Sequence, residues 1–71
     1  MKIDTQYIKL DSFLKAVNAA SSGGEAKFLI TGGDVLVNGE IELRRGRKLY
    51  PGDRVEVGGK AYPVEQGRGD Q

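Results

Sequence analysis

Ser22-Gly23-Gly24-Glu25-Ala26-Lys27-Phe28-Leu29-Ile30-Thr31-Gly32-Gly33-Asp34-Val35-Leu36-Val37-Asn38-Gly39 changes its hydrophobic period partway along. Ala26, Leu29 and Ile30 lie at helical spacing, whereas Val35 and Val37 alternate with Asp34 and Leu36 at the spacing of a strand. Ser22 and Glu25 stand in the S-x-x-E relation of a capping box, in which hydroxyl and carboxylate satisfy free backbone N–H groups at a helix start. Gly32-Gly33 offers the left-handed stop that lacks a Cβ penalty. Asn38-Gly39 is the strongest two-residue hairpin signal. A short helix running into a β-hairpin is the expectation.

Upstream, Leu10, Phe13, Leu14 and Val17 form one helical face, so a first helix is expected from about Ser12 to Ala20 with Asp11 as its N-cap. Before it, Ile3, Thr5 and Tyr7 could make a short strand. Downstream, Ile41 and Leu43 continue the alternation on the return strand, and Arg44-Arg45-Gly46-Arg47-Lys48 reads as a loop or a solvated edge. Tyr50-Pro51-Gly52-Asp53 suits a type II turn, Arg54-Val55-Glu56-Val57 alternates cleanly, and Gly58-Gly59 marks a second hairpin. Pro63 cannot donate a ladder hydrogen bond, which places the Lys60–Val64 strand at a sheet edge. The expected fold is α+β: two short N-terminal helices packed on a small, mostly antiparallel sheet of about three to five strands.

With 71 residues, 38% apolar and 30% charged, the chain has material for one core, and one domain is expected over residues 1–65. Residues 66–71 are polar and expected to be a disordered tail; their Arg68-Gly69-Asp70 is too short a match to carry meaning. No apolar run approaches a membrane span, and a cytosolic location is expected. The absence of Cys removes disulfides and thiolate nucleophiles, and the absence of His removes the commonest general base and metal ligand. Ser21 and Ser22 therefore lack an activating base, and no catalysis, metal or cofactor is expected.

The formal charge of +1 hides a strong polarisation. Arg44, Arg45, Arg47, Lys48 and Arg54 face one acid, Asp53, within an eleven-residue window of net +4, leaving −3 over the rest. Such clustering suits a polyanion. Ser22-Gly23-Gly24 opens a helix whose first-turn N–H groups are free and whose glycines admit an anion, although Glu25 puts a negative charge on the same turn. Lys15 and Lys27 lie off the apolar helix faces and can extend a basic strip. Phe28 also falls off its helix's apolar face and is expected at the core edge. With Phe13 in the core, Tyr7, Phe28, Tyr50 and Tyr62 look too few and scattered for a stacking platform.

The ordered pieces resemble the S4-like RNA-binding domain of ribosomal proteins, also called the alpha-L RNA-binding motif. The resemblance lies in Tyr7-Ile8-Lys9-Leu10-Asp11-Ser12-Phe13-Leu14-Lys15, in Ser22-Gly23-Gly24-Glu25-Ala26-Lys27-Phe28-Leu29-Ile30, in Gly33-Asp34-Val35-Leu36-Val37-Asn38-Gly39, and in Pro51-Gly52-Asp53-Arg54-Val55-Glu56-Val57. Ser-Gly-Gly-Glu-Ala-Lys together with Arg44-Arg45-Gly46-Arg47-Lys48 is most similar to small free-standing bacterial members. Larger relatives carry Ser-Arg where this chain has Ser22-Gly23, so one phosphate contact expected of the family is missing. The resemblance implies binding of structured RNA, often ribosomal RNA; with the charge reading, the expected contacts are Lys9, Lys15, Ser22, Lys27, Arg44, Arg45, Arg47 and Lys48, and a monomer is expected. An adaptor that meets an acidic protein on a ribosome or nucleoprotein is the alternative, since the same charges would serve it.

Overall fold

The computed structural model describes residues 2–67. The chain runs β1 (Lys2–Ile3), β2 (Ile8–Lys9), α1 (Leu10–Ala16), α2 (Gly23–Thr31), β3 (Val35–Val37), β4 (Glu40–Ile41), β5 (Lys48–Leu49), β6 (Arg54–Val57), β7 (Lys60–Pro63) and β8 (Glu65–Gln66). The principal sheet is antiparallel throughout, in the order β4-β3-β6-β7. Two small ribbons flank it, β2 antiparallel to β5 and β1 parallel to β8. The α+β architecture is the one expected, and Pro63 does lie on an edge strand.

One apolar core joins the layers. Leu10, Phe13 and Leu14 of α1, Ala26 and Ile30 of α2, Val35 and Val37 of β3, Leu49 of β5 and Val55 of β6 are all buried in it. Each large side chain among them contributes about 1.5–3 kcal/mol relative to exposure. Register follows the turns. Asn38 and Gly39 both take positive φ, 54° and 87°, as a type I′ turn requires, and Gly58 and Gly59 do the same at 59° and 84°. At the Tyr50–Asp53 turn Gly52 has φ 103°, and the Asp53 N–H donates to the Tyr50 carbonyl at 3.0 Å, as expected of type II.

Several expectations are corrected. The first helix begins at Leu10 and ends at Ala16, short of Ala20. Asp11 is not its cap: Lys9 is the N-cap residue and makes no side-chain cap bond. Its first N–H groups find tertiary partners instead, Leu10 donating to the Arg47 carbonyl at 2.9 Å and Asp11 to the Arg45 carbonyl at 3.2 Å. At the other end Asn18 turns the chain with φ 63°, and the Ala19 and Ala20 N–H groups both return to the Leu14 carbonyl. The strand proposed through Ile3, Thr5 and Tyr7 is broken, because Ile3 and Ile8 pair with different partners and Thr5 Oγ1 instead donates to the Tyr7 carbonyl at 2.8 Å. Gln66 does not belong to a tail, since it pairs with Ile3 and the Gly67 N–H donates to the Ile3 carbonyl. Arg68-Gly69-Asp70 lies outside the described residues.

The return strand of the first hairpin is turned over. Its two-residue turn sets Val37 opposite Glu40 and Leu36 opposite Ile41, and the Glu42 N–H then donates to the Val35 carbonyl at 3.0 Å. Residues directly opposite one another share a face. Glu42 therefore follows Val35 inward and is only 7% exposed, while Ile41 and Leu43 point outward at 61% and 57%. Phe28 is likewise not at the core edge, being 74% exposed.

Candidate nucleic-acid interface

Residues 44–47 form a loop leading into β5, whose first residue is Lys48, and it is held from three sides. Its carbonyls cap α1, as described. Glu42 reaches it from the core side: its Oε2 accepts from Arg44 Nε at 2.9 Å and from the Arg44 backbone N–H at 3.1 Å, and its Oε1 accepts from Arg47 Nη1 at 2.6 Å. Asp11 contributes a longer ion pair, its Oδ2 lying 3.6 Å from Arg45 Nη2. The Arg44 guanidinium, opposed by partial burial and assisted by Arg47, holds the Glu42 carboxyl at a pKa of about 2, against an ordinary 4.5.

These carboxylates brace the loop without neutralising it. Lys9, Arg44, Arg45, Arg47 and Lys48 outnumber Glu42 and Asp11 by three positive charges. A guanidinium carries five N–H donors, of which Glu42 engages two on Arg44 and one on Arg47. The remaining donors can take phosphate oxygens in the planar fork that suits them. Arg44, Gly46, Arg47 and Lys48 line a shallow surface concavity. Across the β2–β5 ribbon Lys9 stands directly opposite Lys48, a like-charge pair that costs stability. A local conflict of that kind is expected where function, and not folding, sets the residue.

The ribbon also assembles something the sequence did not suggest. Tyr7 and Tyr50 have ring centroids 5.9 Å apart with planes tilted by 49°. Lys48 Nζ lies 4.9 Å from the Tyr7 ring centroid, within cation–π range. The expectation of scattered aromatic residues fails here, because the pairing of residues 8–9 with 48–49 is non-local.

The other candidate residues are placed differently. Ser22 follows the C-terminal end of α1, whereas the basic loop docks at the N-terminal end of that helix. The Ser22 hydroxyl accepts from the Glu25 N–H at 3.1 Å. Glu25 in turn accepts from the Ser21 N–H at 2.6 Å and the Ser21 hydroxyl at 2.7 Å, and these two bonds lower its pKa. The chain's own carboxylate thus puts a negative charge beside the helix start while its bonds go to Ser21, ahead of the first turn. Lys15 is exposed on the last turn of α1, and Lys27 is exposed on α2. Arg54, counted in the basic window, is carried by β6 to the first hairpin turn, where its N–H donates to Asn38 Oδ1 at 3.0 Å. Sequence reading missed Glu42, Tyr7 and Tyr50; for Glu42 the Asn38-Gly39 turn carried the signal, since it fixes Glu42 opposite Val35.

Among the described residues no cluster of acidic side chains is arranged to hold a metal ion, and no helix is long and apolar enough to cross a membrane. The chain is 51% identical over 59 residues to the "Probable ribosome maturation protein RlbA" of Bacillus subtilis (strain 168), covering 83% of each protein. It is 33% identical over 58 residues to the "Putative RNA-binding protein YbcJ" of Escherichia coli (strain K12), covering 82% of this chain and 83% of that one. The sequence pattern of the S4 domain matches residues 1–65, and with the two helices, the antiparallel sheet and these relatives it shows that the chain belongs to the S4 domain family.

Proposed function

We propose that this protein is a non-catalytic RNA-binding module that grips structured RNA, with ribosomal RNA as its target during ribosome maturation. The observation that carries the reading is the braced loop: Arg44, Arg47 and Lys48 surround one concavity on a backbone fixed by α1 and by Glu42. Preorganised cations bind a polyanion with less loss of side-chain freedom than cations on a mobile tail. The name of RlbA supplies the ribosomal setting, and that of YbcJ the RNA. Lys9 adds charge across the ribbon, while Lys15, Lys27 and the Ser22 helix start would extend the footprint along α1 and α2.

A-form RNA presents phosphates and 2′-hydroxyls and hides its base edges in a deep groove, so the loop would read shape more than sequence. Affinity for a folded RNA should fall with salt by about 0.7–0.9 log units per log unit of salt for each phosphate neutralised. Replacing Arg44, Arg45, Arg47 and Lys48 together with Ala should weaken binding and flatten that slope, read by filter binding over a salt series. Unchanged binding by a folded fourfold variant would remove the loop from the interface. A second reading, an adaptor on a ribosome or nucleoprotein, is favoured by Ile41 and Leu43, which lie exposed on and just beyond edge strand β4, immediately before the loop. Partners captured from lysate that survive nuclease treatment would favour the adaptor, and partners lost would favour RNA.

A further inference from the structure

We propose that Tyr50, backed by Tyr7 and Lys48, is a docking platform for an unpaired base, so that the protein selects an RNA helix interrupted by a bulged or looped-out nucleotide. The inference rests on the RNA-binding reading and names the feature of the RNA that would be selected.

The β2–β5 register sets Ile8 opposite Leu49 and Lys9 opposite Lys48, which brings Tyr7 opposite Tyr50 one step further along. Side chains alternate across a ribbon. Ile8 and Leu49 face the core, Leu49 completely buried, so Tyr7, Lys9, Lys48 and Tyr50 share the opposite face. Two rings and two ammonium groups on one small surface make the pairing of aromatic and cationic groups that nucleotides favour: a π-face for the base and a positive charge for its phosphate.

Position and stiffness point the same way. Tyr50 is 44% exposed, although its ring could add to a small core. Its backbone is held at both ends of the turn, the Tyr50 N–H donating to Asp53 Oδ2 at 2.9 Å and its carbonyl accepting from the Asp53 N–H at 3.0 Å. The following Pro51 narrows its conformations further. Lys48 belongs to both features, lining the concavity with Arg44 and Arg47 and lying over the Tyr7 ring. A phosphate in the concavity would therefore bring its own or the next base beside the tyrosines. Bases stacked and paired inside an A-form helix cannot offer a face to an external ring; a nucleotide outside the stack can.

The test compares two RNA hairpins that differ only by one bulged nucleotide, a fluorescent adenine analogue, using the full chain. The expected result is about tenfold tighter binding of the bulged hairpin, as one base–aromatic stack provides, with quenching of the analogue on binding. Tyr50→Phe should keep the preference and the quenching, and Tyr50→Leu should bring the two affinities together. Equal binding of both hairpins by the wild-type protein without quenching overturns the platform; if the fourfold Ala variant still weakens both complexes, the RNA-binding reading stands without it. Failure of the wild-type protein to bind either hairpin overturns both.

Discussion

Glu42 is the residue on which the site's rigidity turns. It is a buried carboxylate on an edge hairpin, satisfied by the Arg44 guanidinium and backbone N–H and by Arg47. Removing its charge leaves the guanidinium groups without their anchor and a core-facing amide with poorer partners. Glu42→Gln should cost about 1–3 kcal/mol, the range for leaving buried polar groups without their charge-assisted hydrogen bonds. Chemical denaturation at neutral pH measures it. The pH dependence has a definite sign. Because the folded pKa, about 2, lies below the ordinary 4.5, Glu42 contributes stability that is fully present above that ordinary value and is lost as pH falls toward 2. Wild-type stability should fall over this interval, and the Gln variant should show a flatter profile there.

At the scale of elements, the two helices begin in opposite ways. Helix α2 is capped locally, by the Ser22 hydroxyl and by Glu25 folding back to Ser21, and both partners are neighbours in sequence. Helix α1 has no side-chain cap, and the basic loop supplies carbonyls to its first N–H groups. Ser22→Ala should therefore destabilise the protein by about 1 kcal/mol, the usual value of such a cap. Urea unfolding at neutral pH reads it. The capping box was legible because its atoms are local; Asp11 looked like a cap for the same reason, but its position is decided by a loop more than thirty residues away. The hairpin depends on register. Alternation carries Ile41 and Leu43 along the return strand without saying which face they take, and the two-residue Asn38-Gly39 turn dictates that Glu42 faces inward. Register outranks hydrophobicity here, because a one-residue shift of β4 would require a different turn.

At the scale of the molecule, charge is separated by the fold in a way the linear window only approximates. Arg54 leaves the cluster along β6, Lys9 joins it through β2, and Asp11 and Glu42 come underneath. The start of α2 remains a second place for phosphate contact. A Cβ at Gly23 would meet no atom within 4 Å, so a side chain can leave the backbone there without a clash at its first atom. Gly23→Arg restores the residue pair seen in larger S4 relatives. The variant should fold, bind structured RNA more tightly and steepen the salt dependence by about 0.7–0.9, one phosphate's share. An unaltered slope would confine the RNA to the loop side of α1.

The chain's own pattern determined the two helices, the two I′ hairpins, the type II turn, the edge position of Pro63 and the existence of a basic segment. Each depends on spacing within a few residues or on a turn whose dihedral angles only certain residues accept. Tertiary structure alone decided that Tyr7 meets Tyr50, that Lys9 faces Lys48, that the loop caps α1, and that Phe28 is left in solvent. Those outcomes come from pairing segments some forty residues apart and from which surface the core has room to cover. Local propensity carries no information about either.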